Sequence, residues 1–161
     1  MNKASVFICI ICFSLIGILN SCKKTTSCLT PQFVTLNFST FKLNDTGKVI
    51  DSILPKVNFY LADTPIYFLQ EKENVKNFSA LLSPEKTIQK FYLNPNTDDI
   101  ILDTIFLQYS SNLNFISNSC GYQHFYNLEK VWSSQFNIDS IWLNEKLVNN
   151  EINKTHIHIL F

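Results

Sequence analysis

The sequence predicts an all-β protein, an antiparallel β-sandwich of immunoglobulin-like type, with a small β-barrel as the alternative. Three observations point there. Short apolar and polar alternations recur after residue 28, turn residues punctuate them, and no amphipathic helix of three turns or more stands out. Fourteen Phe and six Tyr against one Met and three Gly add an aromatic-rich, β-favouring composition. The pattern argues against α/β nucleotide folds, which alternate strands with long helices.

Each expected element has its own signal. Phe33–Ser39 alternates so that Val34, Leu36 and Phe38 share one face, and Asn44-Asp45-Thr46-Gly47 supplies a turn. Val57–Leu61 and Ile66–Leu69 read as short strands around Asp63-Thr64-Pro65, after which Glu71–Asn77 is charged and expected to be exposed. Thr87–Leu93 is the next strand, ended by Asn94-Pro95-Asn96-Thr97-Asp98-Asp99. Ile105, Leu107 and Tyr109 line one face of another, and Ser110-Ser111-Asn112 reads as a hairpin turn into Leu113–Ser117. A polar stretch through Ser133-Ser134 reads as a loop or one helical turn. Phe136–Leu143 and Lys154–Phe161 close the chain as strands, with the last offering a candidate free edge. Trp132 and Trp142 are expected in the core, since a Trp left exposed on a sheet would instead be a binding anchor.

The chain starts differently. Lys3, the apolar run Ala4–Leu19 and small Ser21 before Cys22 have the three-part layout of an export signal. At sixteen residues this run falls short of the roughly 20 a spanning helix needs. Leu19-Asn20-Ser21-Cys22 resembles a bacterial lipobox, with Asn20 larger than usual, so Cys22 is expected to become the acylated first residue, carrying diacylglycerol and palmitate-type chains. The alternatives are plain secretion with cleavage near Ser21, or an uncleaved anchor. The expected organisation is a signal peptide at 1–21, a lipid-anchored spacer at 22–28 and a single β-sandwich domain at 29–161. About 140 residues after the signal suffice for one substantial core.

Cys9 and Cys12 fall inside the signal. With Cys22 consumed by lipid, Cys28 and Cys120 form an even pair in an oxidising compartment, where a disulfide is expected. Two buried thiols, or a Cys28 paired with another molecule, are the alternatives. The six-residue step from Cys22 to Cys28 reaches at most about 20 Å and would hold the domain near the membrane surface.

The formal charge is zero and all thirteen basic residues are Lys. Without Arg, the bidentate fork common in phosphate, carboxylate and nucleic-acid sites is missing, so no nucleic-acid partner is expected. Only Lys23-Lys24 are adjacent, and beside a lipid they would meet head groups. His156 and His158 alternate on one strand face about 7 Å apart and, with His124 or an aspartate, form a weak candidate metal set. A solvent-facing polar edge is the plainer reading of that pair. Asp98-Asp99 sit too close together to face one another across a substrate, no Gly-x-Ser-x-Gly elbow occurs, and a Cys120/His124 pair would need a free thiolate. No enzymatic activity and no cofactor are expected. Asp51-Ser52-Ile53, Asp103-Thr104-Ile105 and Asp139-Ser140-Ile141 resemble an O-glycosylation tripeptide, although turn-to-strand transitions produce them too.

Cys28 followed by Thr30-Pro31, the Ser117-Asn118-Ser119-Cys120-Gly121-Tyr122 block, Ile141-Trp142 and the terminal His156-Ile157-His158-Ile159-Leu160-Phe161 together resemble a domain-of-unknown-function family of small Bacteroidota lipoproteins. The resemblance covers most of the mature chain. It implies the lipid anchor, the pairing of Cys28 with Cys120 and a β fold, and it implies no activity. Such lipoproteins often carry an acidic export stretch after the lipidated cysteine, where this chain has Lys23-Lys24. That departure favours the periplasmic face of the outer membrane over the cell surface. The expected function is a lipid-anchored accessory or structural lipoprotein that binds another cell-envelope protein, with a small-ligand or metal-binding carrier as the competing class.

Overall fold

The computed structural model describes Cys28, Thr30, residues 33–151 and residues 153–161. The expected signal peptide, Cys22 and all of the spacer but Cys28 lie outside the described residues. Eleven strands are described: β1 (Thr35–Leu43), β2 (Val49–Asp51), β3 (Leu54–Leu61), β4 (Tyr67–Val75), β5 (Asn77–Leu81), β6 (Ile88–Asn94), β7 (Asp103–Ser117), β8 (Gly121–Ser133), β9 (Ser140–Leu143), β10 (Leu147–Val148) and β11 (Ile157–Leu160).

They form two sheets that do not close into a barrel. The five-stranded sheet runs β2-β1-β11-β9, with β5 also on β1; the six-stranded sheet runs β10-β8-β7-β6-β3-β4. Among the described strands every strand-to-strand pairing is antiparallel except that of β1 with β11, which matches Phe38 to Ile157 and Phe41 to Leu160 in parallel; a single parallel bridge also joins Lys56 to Asn96. The all-β sandwich expected from the alternating pattern is therefore the fold.

Among the described strands the chain changes sheets six times, and the first two changes are neighbouring corners. It leaves the five-stranded sheet after β2 and returns between β4 and β5. Buried Thr40 ties both: its hydroxyl lies 2.7 Å from the Ser52 carbonyl and 2.9 Å from that of Lys76. The Thr40 N–H also donates to the Lys76 carbonyl at 3.1 Å, so this one residue ties both corners through backbone and side chain.

Alternation fills the space between the sheets. Leu36, Phe38, Phe78, Ile157 and Ile159 face Val57, Phe59, Phe91, Leu93, Ile105, Leu107 and Leu128 in one buried cluster. Phe38 stacks on Phe78 at 4.9 Å and meets Phe59 edge-on at 5.3 Å, geometries that satisfy the ring quadrupoles as well as burying area. Tyr109 and Tyr126 bring hydroxyls into this cluster, that of Tyr126 donating to the Leu82 carbonyl at 2.9 Å. The single Tyr109 O–H has two acceptors within reach, the Ser83 carbonyl at 2.8 Å and Gln89 Oε1 at 2.9 Å, and burial pushes the Tyr109 pKa up to about 12. The phenol therefore stays a donor at any ordinary pH and pins the connection between β5 and β6.

Several expected boundaries are corrected. Ser110-Ser111-Asn112 is not a turn: β7 runs straight through it, and the reversal comes at 118–120. There Gly121 takes φ +69° and Cys120 N–H donates to Ser117 Oγ at 3.1 Å. The turn forms where a residue tolerates the left-handed region and a side chain caps the loose amide. Ser133 ends β8 rather than beginning a loop, and the strand expected from Phe136 starts only at Ser140. The last strand is not an edge, since β11 lies between β1 and β9. Sheet edges instead include β4, whose exposed Glu71, Lys72 and Glu73 blunt it against further pairing.

Candidate functional site

The outer face of the five-stranded sheet carries the side chains that alternation turns away from the core. Cross-strand register places Ser39 beside His158 and His158 beside Trp142, then Asp51 beside Phe41 and Phe41 beside Leu160, then Leu43 beside Val49. Three rings meet there. His158 lies 4.8 Å from Phe41 and 5.3 Å from Trp142, and Phe41 and Trp142 are 6.4 Å apart and nearly parallel. Trp142 is 39% exposed, and Leu43 and Val49 are about half exposed.

This corrects the expectation that both tryptophans are core. Trp132 is also off the core, stacked on Phe106 at 5.3 Å on the outer face of the six-stranded sheet with Lys130 Nζ 5.1 Å from its ring. Among the described residues no ammonium lies over Trp142. A preassembled aromatic group with aliphatic neighbours is an arrangement that loses little entropy when another surface covers it.

Beside the rings the same face turns polar. A cleft of about 600 Å³ is lined by Phe33, Asn37, Asn77, Ser79, Asn149 and Lys154, among others. Its size suits a small molecule. Its polar groups, however, bond mainly to one another. Asn37 Nδ2 donates to the Lys154 carbonyl at 2.8 Å, Ser79 Oγ donates to Asn37 Oδ1 at 2.7 Å, Ser39 Oγ donates to Asn77 Oδ1 at 2.7 Å, and Lys154 Nζ pairs with Glu151 at 2.7 Å. These groups build the wall of the cleft, and a ligand would have to break their bonds to use them.

His156 lies beneath this wall and is almost completely buried, which corrects its reading as part of a solvent-facing edge. The residue precedes β11, and its Nδ1 accepts the Asn37 N–H at 3.0 Å while its own N–H donates to the Asn37 carbonyl at 2.9 Å. That acceptor role places the ring proton on Nε2, which has no hydrogen-bond partner among the described residues. Burial lowers its pKa, opposed by the nearby Glu145 carboxylate, and burial lowers that of His158 as well.

A pH dependence follows. The unfolded chain takes up a proton near pH 6.5 while folded His156 resists it, so its contribution to stability is complete above that value. The contribution is lost as pH falls from there through the depressed folded pKa. Urea midpoints should drop between pH 7.5 and 5.5 in the wild type. His156→Gln should lower the midpoint at pH 7.5, at a cost of about 1–3 kcal/mol, and narrow the pH gap, leaving the part due to His158.

The weak metal set is not assembled. His124 lies on β8 of the other sheet, its Nδ1 2.9 Å from Ser111 Oγ across the pairing with β7. Among the described residues no group of three or more His, Cys, Asp or Glu side chains converges. Cys28 and Cys120 form a disulfide with Cα atoms 4.9 Å apart, and Thr30 Oγ1 sits 3.1 Å from Cys120 Sγ, so no thiolate stands beside His124. Asp98 and Asp99 are exposed in a turn closed by Asp99 N–H to the Asn96 carbonyl at 3.0 Å.

Sequence reasoning passed over Asp103 except as part of a tripeptide. Its fully buried carboxylate accepts N–H groups from Phe136 at 2.7 Å, Asn137 at 2.7 Å and Ile138 at 3.1 Å, and the Ser134 hydroxyl at 2.8 Å. It thereby fixes the segment that delivers β9, and Trp142 with it.

With this geometry in place, comparison with known proteins adds one finding. A family model described as a family of unknown function (DUF6452) matches residues 59–161. The chain belongs to that family. The DUF6452 match includes Cys120, Trp142, His156 and His158, while Cys28 and Phe41 precede it. No curated protein and no solved structure matches the chain.

Proposed function

We propose that this DUF6452 chain is a non-enzymatic accessory lipoprotein of a bacterial envelope. Acyl groups on Cys22 hold it at the periplasmic face of the outer membrane, and the outer face of its five-stranded sheet binds another envelope protein. The observation that carries the partner half is the outward-facing aromatic group of exposed Trp142 with half-buried Phe41 and His158, flanked by exposed Leu43 and Val49. Aromatic anchors of this kind concentrate the energy of protein interfaces. Support for the anchor half is the Leu19-Asn20-Ser21-Cys22 sequence after an apolar run.

The test is chemical crosslinking of the native lipidated protein in its own envelope, followed by identification of what is attached. Paired Phe41→Ala and Trp142→Ala substitutions should weaken the association by about 2 kcal/mol or more, roughly 30-fold, while the unfolding midpoint shifts by about 1 kcal/mol or less. Undiminished crosslinking by the double variant would sink the assignment of this face.

The polar cleft favours a second reading, a small-ligand carrier. Against it stands the mutual bonding of Asn37, Ser79, Asn77, Lys154 and Glu151, which leaves these groups committed before a ligand arrives.

A further inference from the structure

The longest strand pair does not end with the sandwich. β6 stops pairing with β7 at Gln108, and β10 covers β8 only at Tyr126 and Asn127. Beyond those points residues 112–117 and 121–125 pair only with each other, as a two-stranded ribbon. A lone ribbon is marginal in water, and this one is tied down by the disulfide from Cys120 in its turn to Cys28.

The ribbon's chemistry is unlike the rest of the surface. From Thr104 to Leu128 the sequence has no Asp, Glu, Lys or Arg. Register and alternation put Leu113, Phe115 and Tyr122 on one face, with Phe115 and Tyr122 directly opposite and their rings 5.3 Å apart. All three are well exposed, at 59%, 55% and 65%. His124, on the same face, is bonded to Ser111. The chain outside the described structure arrives at this same place: Cys28 is bonded to the ribbon's turn, and Cys22 lies six residues earlier, within about 20 Å.

We propose that the ribbon tip rests in the bilayer interface, with Leu113, Phe115 and Tyr122 inserted among the head groups and upper acyl chains beside the lipid on Cys22. This rests on the anchor half of the proposed function. Amphipathic aromatic side chains favour that zone, a neutral ribbon enters it without stripping water from a charge, and an acyl anchor gains retention from each added apolar contact. The lipid then holds the chain to the membrane, while the ribbon sets which way the sandwich faces.

The test uses the full lipidated protein in vesicles of phosphatidylethanolamine and phosphatidylglycerol, with Phe115→Trp, or Leu113→Trp as a second reporter on the same face. Emission is read as the difference from the parent, which has Trp132 and Trp142. Lipids brominated near the head-group end of the acyl chain should remove roughly half or more of the added emission. Ile100→Trp, placed before the opposite end of β7 and almost wholly exposed, should lose none. Mass spectrometry of the same sample reads acylation of Cys22. An unacylated mature chain overturns the anchor and this inference together. An acylated chain in which the emission added by either ribbon reporter ignores brominated lipid overturns the inference alone. So does emission shielded already in detergent, in a particle of twice the mass, because the ribbon face would then be covered by a second copy.

Discussion

Asp103→Ala should cost about 3–5 kcal/mol, the largest effect expected of any single substitution in the fold. Three backbone N–H groups, of Phe136, Asn137 and Ile138, and the Ser134 hydroxyl all end on this one buried carboxylate. Each such bond to a charged acceptor contributes about 1.5–3 kcal/mol, and alanine leaves the donors in a space with no other acceptor of their own. Partial opening of the 134–139 segment to water keeps the sum below full additivity. Asparagine should recover little, because its NH₂ group would face N–H donors. Ile138, buried against the core, and Trp142, four residues on, both depend on where this segment is held. Denaturant midpoints would therefore fall together with protection of the Phe136, Asn137 and Ile138 amides from hydrogen exchange. A loss below about 1 kcal/mol would show that the segment is held by something other than this carboxylate.

Removing the Cys28–Cys120 bridge by paired serine substitution should cost about 4–5 kcal/mol in the loop-entropy account, since 92 positions separate the two residues. A domain of this size is stable by only about 5–15 kcal/mol, so the bridge is worth about a quarter of the total or more. The sandwich should nevertheless survive reduction. β1 enters seven residues after Cys28 and is paired along both edges, with β11 on one side and with β5 and β2 on the other. Loss should appear as a lower urea midpoint with cooperativity retained, and as faster hydrogen exchange concentrated in the ribbon of β7 and β8. An unchanged midpoint would mean that the unfolded chain is already compact without the bridge.

Much of the fold was legible because strand alternation is local. Leu36 and Phe38, Ile105 and Leu107, and Ile157 and Ile159 announce their buried faces within a few residues, and each is essentially inaccessible in the structure. The same logic could have found β5. Phe78, Ala80 and Leu82 alternate inward, but the charged run Glu71–Asn77 before them is expected only to be exposed, whereas most of it forms the second half of edge strand β4. The cysteine count pointed to the pair that is bonded.

What was hidden depends on partners distant in sequence. His156 looks like one of two histidines on a wet strand until β1 is laid parallel to β11, when the Asn37 backbone closes over it. Asp103 meets donors more than thirty positions away, and no local pattern marks them. Trp142 illustrates the same limit from the outside: residue type favours burial, and only the register across β1, β11 and β9 shows it on the outer face with Phe41.

The claim that this face receives a partner is tested most directly by putting a photoreactive phenylalanine analogue at position 142 of the lipidated protein in its native envelope, with position 100 as a comparison. Ile100 is nearly fully exposed but sits in the loop before β7, away from the aromatic group. One recurrent protein adduct is expected from position 142, diminished by Phe41→Ala and absent from position 100. Equal labelling from both positions, or none from either, would contradict the assignment of this face to a partner.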